Sequence, residues 1–399
     1  MCEPSSLRPA NSRPLTFEGR KRAEVKYGGN RRAVAALVCV AALWSSGANA
    51  AEDWGYRKAP KFVGAGPAAP ELPAVDGQAA VTTQKTPAGQ ARIITVYLRY
   101  PGGRLANVTA STGLMLCLHN WGGHAFDGAP LPNPALFDVV IVGVDYYQSG
   151  DRDSDPLPYD FGYLQAIDVL RGLQFVYQGL HDRKIPFDHA RIYGMGGSGG
   201  GNVILMANKF APRTFACVVD CSGMASLTDD IAFNLPGGSA LNARYSRTPA
   251  SLAGLTQSMA EIRDMGRREH MARMASYGNR CKLVVIHGED DTFCLAADKK
   301  RAVTAMRAAG LDVDPHFISA KDVDGKLVLD SGHRIGDRTA LMMHYAGDFM
   351  MPQSKKMRRL TGPCDFERHE TIVYPVSGGA YTVSYASGFP GISFTEARP

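Results

Sequence analysis

Beyond its first fifty residues the sequence has almost no net charge. The chain of 399 residues carries +6, but eight Lys and Arg against three Glu in residues 1–50 supply +5 of it, and the remainder holds 36 basic against 35 acidic side chains, or +1. A face of one sign is therefore missing, which removes the main support for nucleic-acid binding. The apolar run from Ala33 to Trp44 is too short to span a bilayer, where a helix needs about 20 residues. Cysteine is scarce, and none of it has the C-x₂-C spacing of a structural zinc site. No internal repeat is present, so a solenoid or propeller array is not indicated.

What the amino terminus does contain is a leader. Arg31-Arg32, the apolar run Ala33 to Trp44 and the small residues Ser45 to Ala50 read as a secretory signal peptide, with Ala48-Asn49-Ala50 as the cleavage site before Ala51. The expected protein is secreted or periplasmic in a bacterium and keeps no stable membrane anchor. Residues 1 to about 25 are polar and Arg-rich, unlike a signal n-region, so the true start is expected downstream of Met1. Six cysteines follow the leader: Cys117, Cys217, Cys221, Cys281, Cys294 and Cys364. Export permits a disulfide, and Cys221 with Cys294, each just past the end of an apolar run, is the expected pair. Cys117, Cys217 and Cys281 lie within strand-like runs and are expected as buried thiols.

Residues 51–90 are rich in Pro, Ala and Gly, with Trp54, Tyr56 and Phe62 as anchors, and read as an extended lead-in. Strands are expected at Arg92 to Tyr100, Leu114 to Leu118, Val139 to Val144, Phe215 to Val219 and Lys282 to Ile286. Most are continuous apolar runs, which belong to a parallel sheet buried on both faces. Tyr163, Ile167, Leu170, Leu173 and Tyr177 recur at helical spacing, and a second helix over 296–309 ends at Gly310. Strands alternating with helices predict an α/β fold with a mostly parallel central sheet and helices on both faces over 91–352. Residues 223–280 read as an insertion over the open end of the sheet, and 353–399 as a β-hairpin extension added at its edge.

The centre of the pattern is Arg191 to Met206, a short strand, a glycine-packed turn and a helix. Gly196 to Gly200 fit G-x-S-x-G, which would present Ser198 at the open end of the sheet. The same stretch satisfies G-x-G-x-x-G through Gly194, Gly196 and Gly199, with Asp220 about 20 residues later, the spacing of a dinucleotide site. At least three strands precede it, however, whereas a dinucleotide fold opens with its fingerprint. A serine hydroxyl needs a base and a group to orient that base. Downstream, in the order acid then histidine, stand His287-Gly288-Glu289-Asp290-Asp291 after a strand and Ser331-Gly332-His333 after a strand-like run, Lys326 to Leu329. An oxyanion hole would use the N–H of Gly199 and, from His119-Asn120-Trp121-Gly122-Gly123, the N–H of Trp121.

Together these segments resemble the α/β-hydrolase superfamily over roughly residues 90–350, especially its prolyl-oligopeptidase-like and dienelactone-hydrolase-like esterases. The resemblance implies Ser198 as nucleophile, His333 as base and Asp291 as acid, with Asp290 next in line and Asp220 as an alternative location. It implies no metal and no organic cofactor. The sequence departs from the family pattern at Asn120, where many members have Gly, and at Gly197, whose small size would leave the space beside Ser198 open. Trp121, Tyr146 and Tyr147, with Tyr159, would form an aromatic wall. The implied function is an exported serine esterase acting on a small-molecule or polymer ester, such as an acylated polysaccharide or a polyester. The alternatives are a peptidase, an acyltransferase or a binding protein on an inactive scaffold; peptidase relatives often carry an amino-terminal propeller, and only about 40 residues lie between Ala51 and the first expected strand.

Overall fold

The computed structural model describes residues 70–86, 89–150 and 157–397. The leader, its cleavage site and the anchors Trp54, Tyr56 and Phe62 lie outside the described residues. Eight strands form the central sheet: β1 (Gly77–Thr83), β2 (Arg92–Arg99), β3 (Gly113–Leu118), β4 (Val139–Val144), β5 (Ile192–Gly197), β6 (Cys217–Cys221), β7 (Lys282–Gly288) and β8 (Val313–Ile318). Their order is β1-β2-β4-β3-β5-β6-β7-β8. Pairing is antiparallel from β1 to β2 and from β2 to β4, and parallel from β4 onward.

Alternation along a strand sends neighbouring side chains to opposite faces, so a run that is apolar throughout must be covered on both. Leu114, Leu116 and Leu118 of β3 join Val140 and Val142 of β4 in one core. Met115 and Cys117 join Val139 and Ile141 in the other. The helices α1 (Tyr163–Asp182), α2 (Gly199–Phe210) and α3 (Ala296–Ala308) cover the first face, and α4 (Arg338–Ala346) packs Leu341 and Met342 on the second. This is the expected mostly parallel sheet with helices on both faces.

The differences lie at the margins. The Ala- and Gly-rich lead-in contains β1, whose Ala79 and Val81 bury one face only. Lys326 to Leu329 is not a strand; the last one is β8, an edge strand with Asp314, Pro315 and His316 in its interior. Proline is tolerated there because an edge strand leaves one row of N–H groups outside the ladder. The carboxyl-terminal hairpin has a third strand, so that β9 (Thr371–Val376), β10 (Gly379–Ser384) and β11 (Gly391–Glu396) form a separate antiparallel sheet. That sheet is not added at an edge of the central one: Ile372, Tyr374 and Val383 share the core of α1 and α2, and the Tyr385 hydroxyl donates to Phe210 O on α2 at 3.0 Å.

Between β6 and β7 the chain forms short helices at Asp229–Phe233, Gln257–Ile262 and Arg268–Ser276. Met224, Leu227, Ile231 and Leu241 of this segment pack with Trp121, Tyr159 and Cys294, so it overlies the loops at the carboxyl ends of β3 and β7. The expected Cys221–Cys294 disulfide is not formed; all six cysteines of the described residues are free. Cys221 points into the core with Met195 and Ile286, whereas Cys294 belongs to the core beneath the insertion. Among the described residues no helix is long and apolar enough to cross a membrane.

Candidate active site

The turn from β5 into α2 holds Ser198 at φ 55° and ψ −119°, a conformation that costs a residue with a side chain about 1–3 kcal/mol. Close packing holds it there. A Cβ on Gly196 would lie 2.2 Å from the carbonyl group of Gly200, and one on Gly200 would lie 2.4 Å from Leu118 O. Glycine is therefore demanded where α2 meets β5 and the end of β3. The Ser198 N–H donates to Cys221 O at 2.8 Å and completes the turn. Asp220, the acidic residue of the dinucleotide reading, is fully buried, accepts the Gly223 N–H at 2.8 Å and pairs with Lys299, so a ribose has no access to it.

Three residues far apart in the chain meet at this turn. His333 Nε2 lies 2.9 Å from Ser198 Oγ, and His333 Nδ1 lies 2.8 Å from Asp291 Oδ2. A carboxylate only accepts, so Nδ1 carries the proton and Nε2 is left to accept from the serine hydroxyl. The histidine reaches this position without a preceding strand because its loop lies directly on the end of β7: a Cβ on Gly288 would fall 2.1 Å from Gly332 O. Asp291 Oδ1 accepts the N–H groups of Phe293 and Cys294 at 2.8 and 2.9 Å. Burial alone would raise the pKa of Asp291, but the bond and charge of His333, with the Cys294 N–H, hold it below the ordinary carboxylate range. The group is thus an anion at neutral pH. Asp290 instead accepts the Ser331 hydroxyl at 2.6 Å.

The loop after β3 brings Trp121 against the elbow, its backbone N only 2.5 Å from where a Cβ on Gly199 would stand. As the first residue of α2, Gly199 has an N–H with no partner inside the helix. Asn120 closes the loop as a turn, donating to Asp127 O and accepting the Gly123 N–H, each at 3.0 Å. Tyr146 and Tyr147 lie elsewhere than in the expected wall. Tyr146 is buried, stacks on His119 at 3.9 Å and donates to His119 O at 2.5 Å, propping the loop from behind. The Tyr147 ring lies under the Arg92 guanidinium, 4.7 Å away, against the core. The aromatic surface near Ser198 is made by Trp121, stacked on Tyr159 at 3.6 Å, and by Phe293, which is 41% exposed with its ring 5.2 Å from that of His333. Phe293 escaped the sequence reading, although its place two residues after Asp291 was the available signal. A cavity of about 1030 Å³ bordered by Arg99, Phe126, Leu131 and Met343 lies apart from this site, since none of Ser198, Asp291 and His333 lines it.

The space beside Gly197 is not open. A Cβ there would lie 2.5 Å from Arg338 Nη1 and 2.6 Å from Arg338 Cδ, so a buried guanidinium fills the volume that a larger residue would take. The same Nη1 donates to Gly128 O at 2.7 Å. Arg338 thus joins the start of α4, which follows His333, to the Trp121 loop and to the elbow. Since a misplacement of 1 Å can cost about 10²-fold in rate, Arg338→Met is expected to lower kcat by about that factor while changing KM far less. Steady-state kinetics test this, and an unaltered kcat would remove the positioning role.

Two buried histidines frame the site. Burial depresses His119 and His287 from the ordinary 6.5 to about 4. His287 Nε2 donates to Cys294 O at 2.7 Å. Because the folded values lie below the unfolded one, the stability held by the neutral rings is complete above pH 6.5 and is lost as pH falls toward 4. Each histidine should remove up to about 1.4 kcal/mol per pH unit in that window. Urea midpoints measured from pH 7 to 4.5 should therefore fall steadily, and a flat profile would contradict the assignment.

The prolyl oligopeptidase family matches residues 168–347, which run from α1 through both the elbow and His333. No curated protein matches the chain. Among solved structures it is similar to the acylaminoacyl peptidase of Pyrococcus horikoshii, at 13% identity and a TM-score of 0.49, over 71% of this chain and 43% of that one. A puromycin-hydrolysing peptidase of Mycobacterium tuberculosis is 16% identical with a TM-score of 0.41, over 66% of this chain and 37% of that one. A thermostable esterase is 15% identical with a TM-score of 0.40, over 68% and 62% of the two chains. The chain spans less than half the length of the two peptidases. Its sheet order and its glycine elbow are those of an α/β-hydrolase fold, and over residues 168–347, less than half of its length, the chain is similar to the prolyl oligopeptidase family.

Proposed function

We propose that the protein hydrolyses carboxylic esters through an acyl-enzyme. Ser198 Oγ attacks the carbonyl carbon while His333 Nε2 takes its proton, and the Asp291 anion stabilises the imidazolium and keeps its orientation. The N–H groups of Gly199 and Trp121 meet the charge that develops on the carbonyl oxygen. His333 then returns the proton to the leaving alcohol, and water repeats the sequence to release the acid. The observation that carries this reading is the continuous line from Asp291 to His333 to Ser198, at 2.8 and 2.9 Å.

Trp121, whose backbone lies against Gly199, and Phe293, whose ring lies 5.2 Å from that of His333, supply aromatic surface next to the triad, which suits an apolar or aryl acyl group as found on acylated polysaccharides and polyesters. The signal-peptide pattern of residues 31–50 supports a substrate outside the cytoplasm. A second reading, cleavage of peptide bonds by the same residues, is favoured by the family matched over 168–347. The two are separated by a p-nitrophenyl ester and a p-nitroanilide that share one acyl group. Turnover of the ester without turnover of the anilide is the expected result, and comparable kcat/KM on both would assign the site to amides.

A further inference from the structure

On the side of His333 away from Ser198, a carboxylate, a thiol and an imidazole nitrogen converge. Asp291, Cys294 and His333 each offer one ligand atom, and these atoms lie within 4.8 Å of one another. The loop after β7 brings the first two together, because the N–H groups of Phe293 and Cys294 both turn back onto Asp291 Oδ1 and leave Oδ2 for His333. The third arrives with the loop seated on Gly288.

We propose that this trio is an inhibitory site for a thiophilic divalent cation, zinc foremost. Sulfur, nitrogen and carboxylate oxygen are the donors zinc takes, with bonds of about 2.0–2.3 Å in tetrahedral array, which sets ligand atoms about 3.5 Å apart. The three groups therefore need to shift by about an ångström, and the fourth position is left for water. Entry is past His333, whose side chain is 13% exposed, whereas Asp291 and Cys294 lie beneath.

The consequence for catalysis follows from proton bookkeeping. The ion binds His333 through the Nδ1 lone pair, so the proton now on Nδ1 moves to Nε2, and the thiol releases its own proton to solvent as the sulfur–metal bond forms. Asp291 exchanges its hydrogen bond from His333 for a bond to the ion. An imidazole with a proton on Nε2 cannot accept one from Ser198, so the hydroxyl loses its base. The cation is thus an antagonist of the site, and it acts on tautomer rather than by blocking the acyl pocket.

Only the inhibitory consequence rests on the esterase reading, so binding is measured separately from turnover. Cobalt(II) added to the full chain reports on sulfur ligation through a thiolate-to-cobalt charge-transfer band. The expected result is one equivalent of band in the native protein and none in Cys294→Ser or Cys294→Ala, both of which keep the backbone N–H that holds Asp291. With p-nitrophenyl acetate, zinc should inhibit reversibly to EDTA, and both variants should require at least about tenfold more zinc, since loss of even an outer-shell partner weakens metal sites by about 10–100-fold. Turnover without zinc should match the native protein in both variants. A folded native protein that gives no thiolate band, or zinc inhibition of equal strength in both cysteine variants, would overturn the proposal.

Discussion

Ser198→Ala is expected to abolish ester turnover and leave the fold intact. Removal of the nucleophile from a triad of this kind lowers kcat by about 10⁶, leaving only what the oxyanion hole and substrate binding contribute. The fold should persist because the elbow is shaped by glycine contacts and by the Ser198 N–H bond to Cys221 O, neither of which uses the hydroxyl. Among the described residues, the side chain that this hydroxyl meets is His333. Strain at φ 55° adds a companion result. Ser198→Gly relieves about 1–3 kcal/mol of backbone cost, so this equally inactive variant should melt no lower than Ser198→Ala. Turnover, fluorophosphonate labelling and thermal melts read both variants, and an alanine variant that still hydrolyses esters at the native rate would end the covalent mechanism.

The second large effect is expected away from the reacting atoms. Lys299 on α3 and Asp220 at the end of β6 form an ion pair with side-chain exposures of 1% and 0%. Asp220 also accepts the Gly223 N–H, and its Oδ1 lies where a Cβ on Gly201 would approach to 2.4 Å, so the pair sits directly behind the elbow helix. Lys299→Met leaves a buried carboxylate without its counter-charge, which costs about 3–5 kcal/mol. Against a total stability of about 5–15 kcal/mol, that is a large fraction. Lys299→Met combined with Asp220→Asn removes both charges and should recover most of the loss, because the penalty belongs to the uncompensated ion rather than to the missing contact. Urea midpoints at constant m-value measure this. A single variant as stable as the native chain would show that Asp220 is compensated by other groups.

The parts that could be read along the chain share a physical property. Strands β3, β4, β6 and β7 are legible because burial on both faces demands unbroken apolar runs, and α1 is legible because one face must repeat at helical spacing. By the same logic β1, β8 and β11 escape: an edge strand buries one face at most, so Ala79, Pro315 and Gly391 are acceptable there and the pattern dissolves. The exclusion of a charged nucleic-acid face likewise needs only counting.

Residue types and their order along the chain are therefore enough to specify an α/β sheet, a glycine elbow carrying a serine, and an acid and a histidine after it. Sequence order does not set distance between loops. That Arg338 fills the space beside Gly197, that Tyr146 and Tyr147 face inward while the Phe293 ring lies against His333, and that Cys294 stands beside Asp291 and His333 are all decided where separate loops converge on the carboxyl end of the sheet. Such contacts come from packing between segments that follow no common period, and only the folded chain brings them within bonding range.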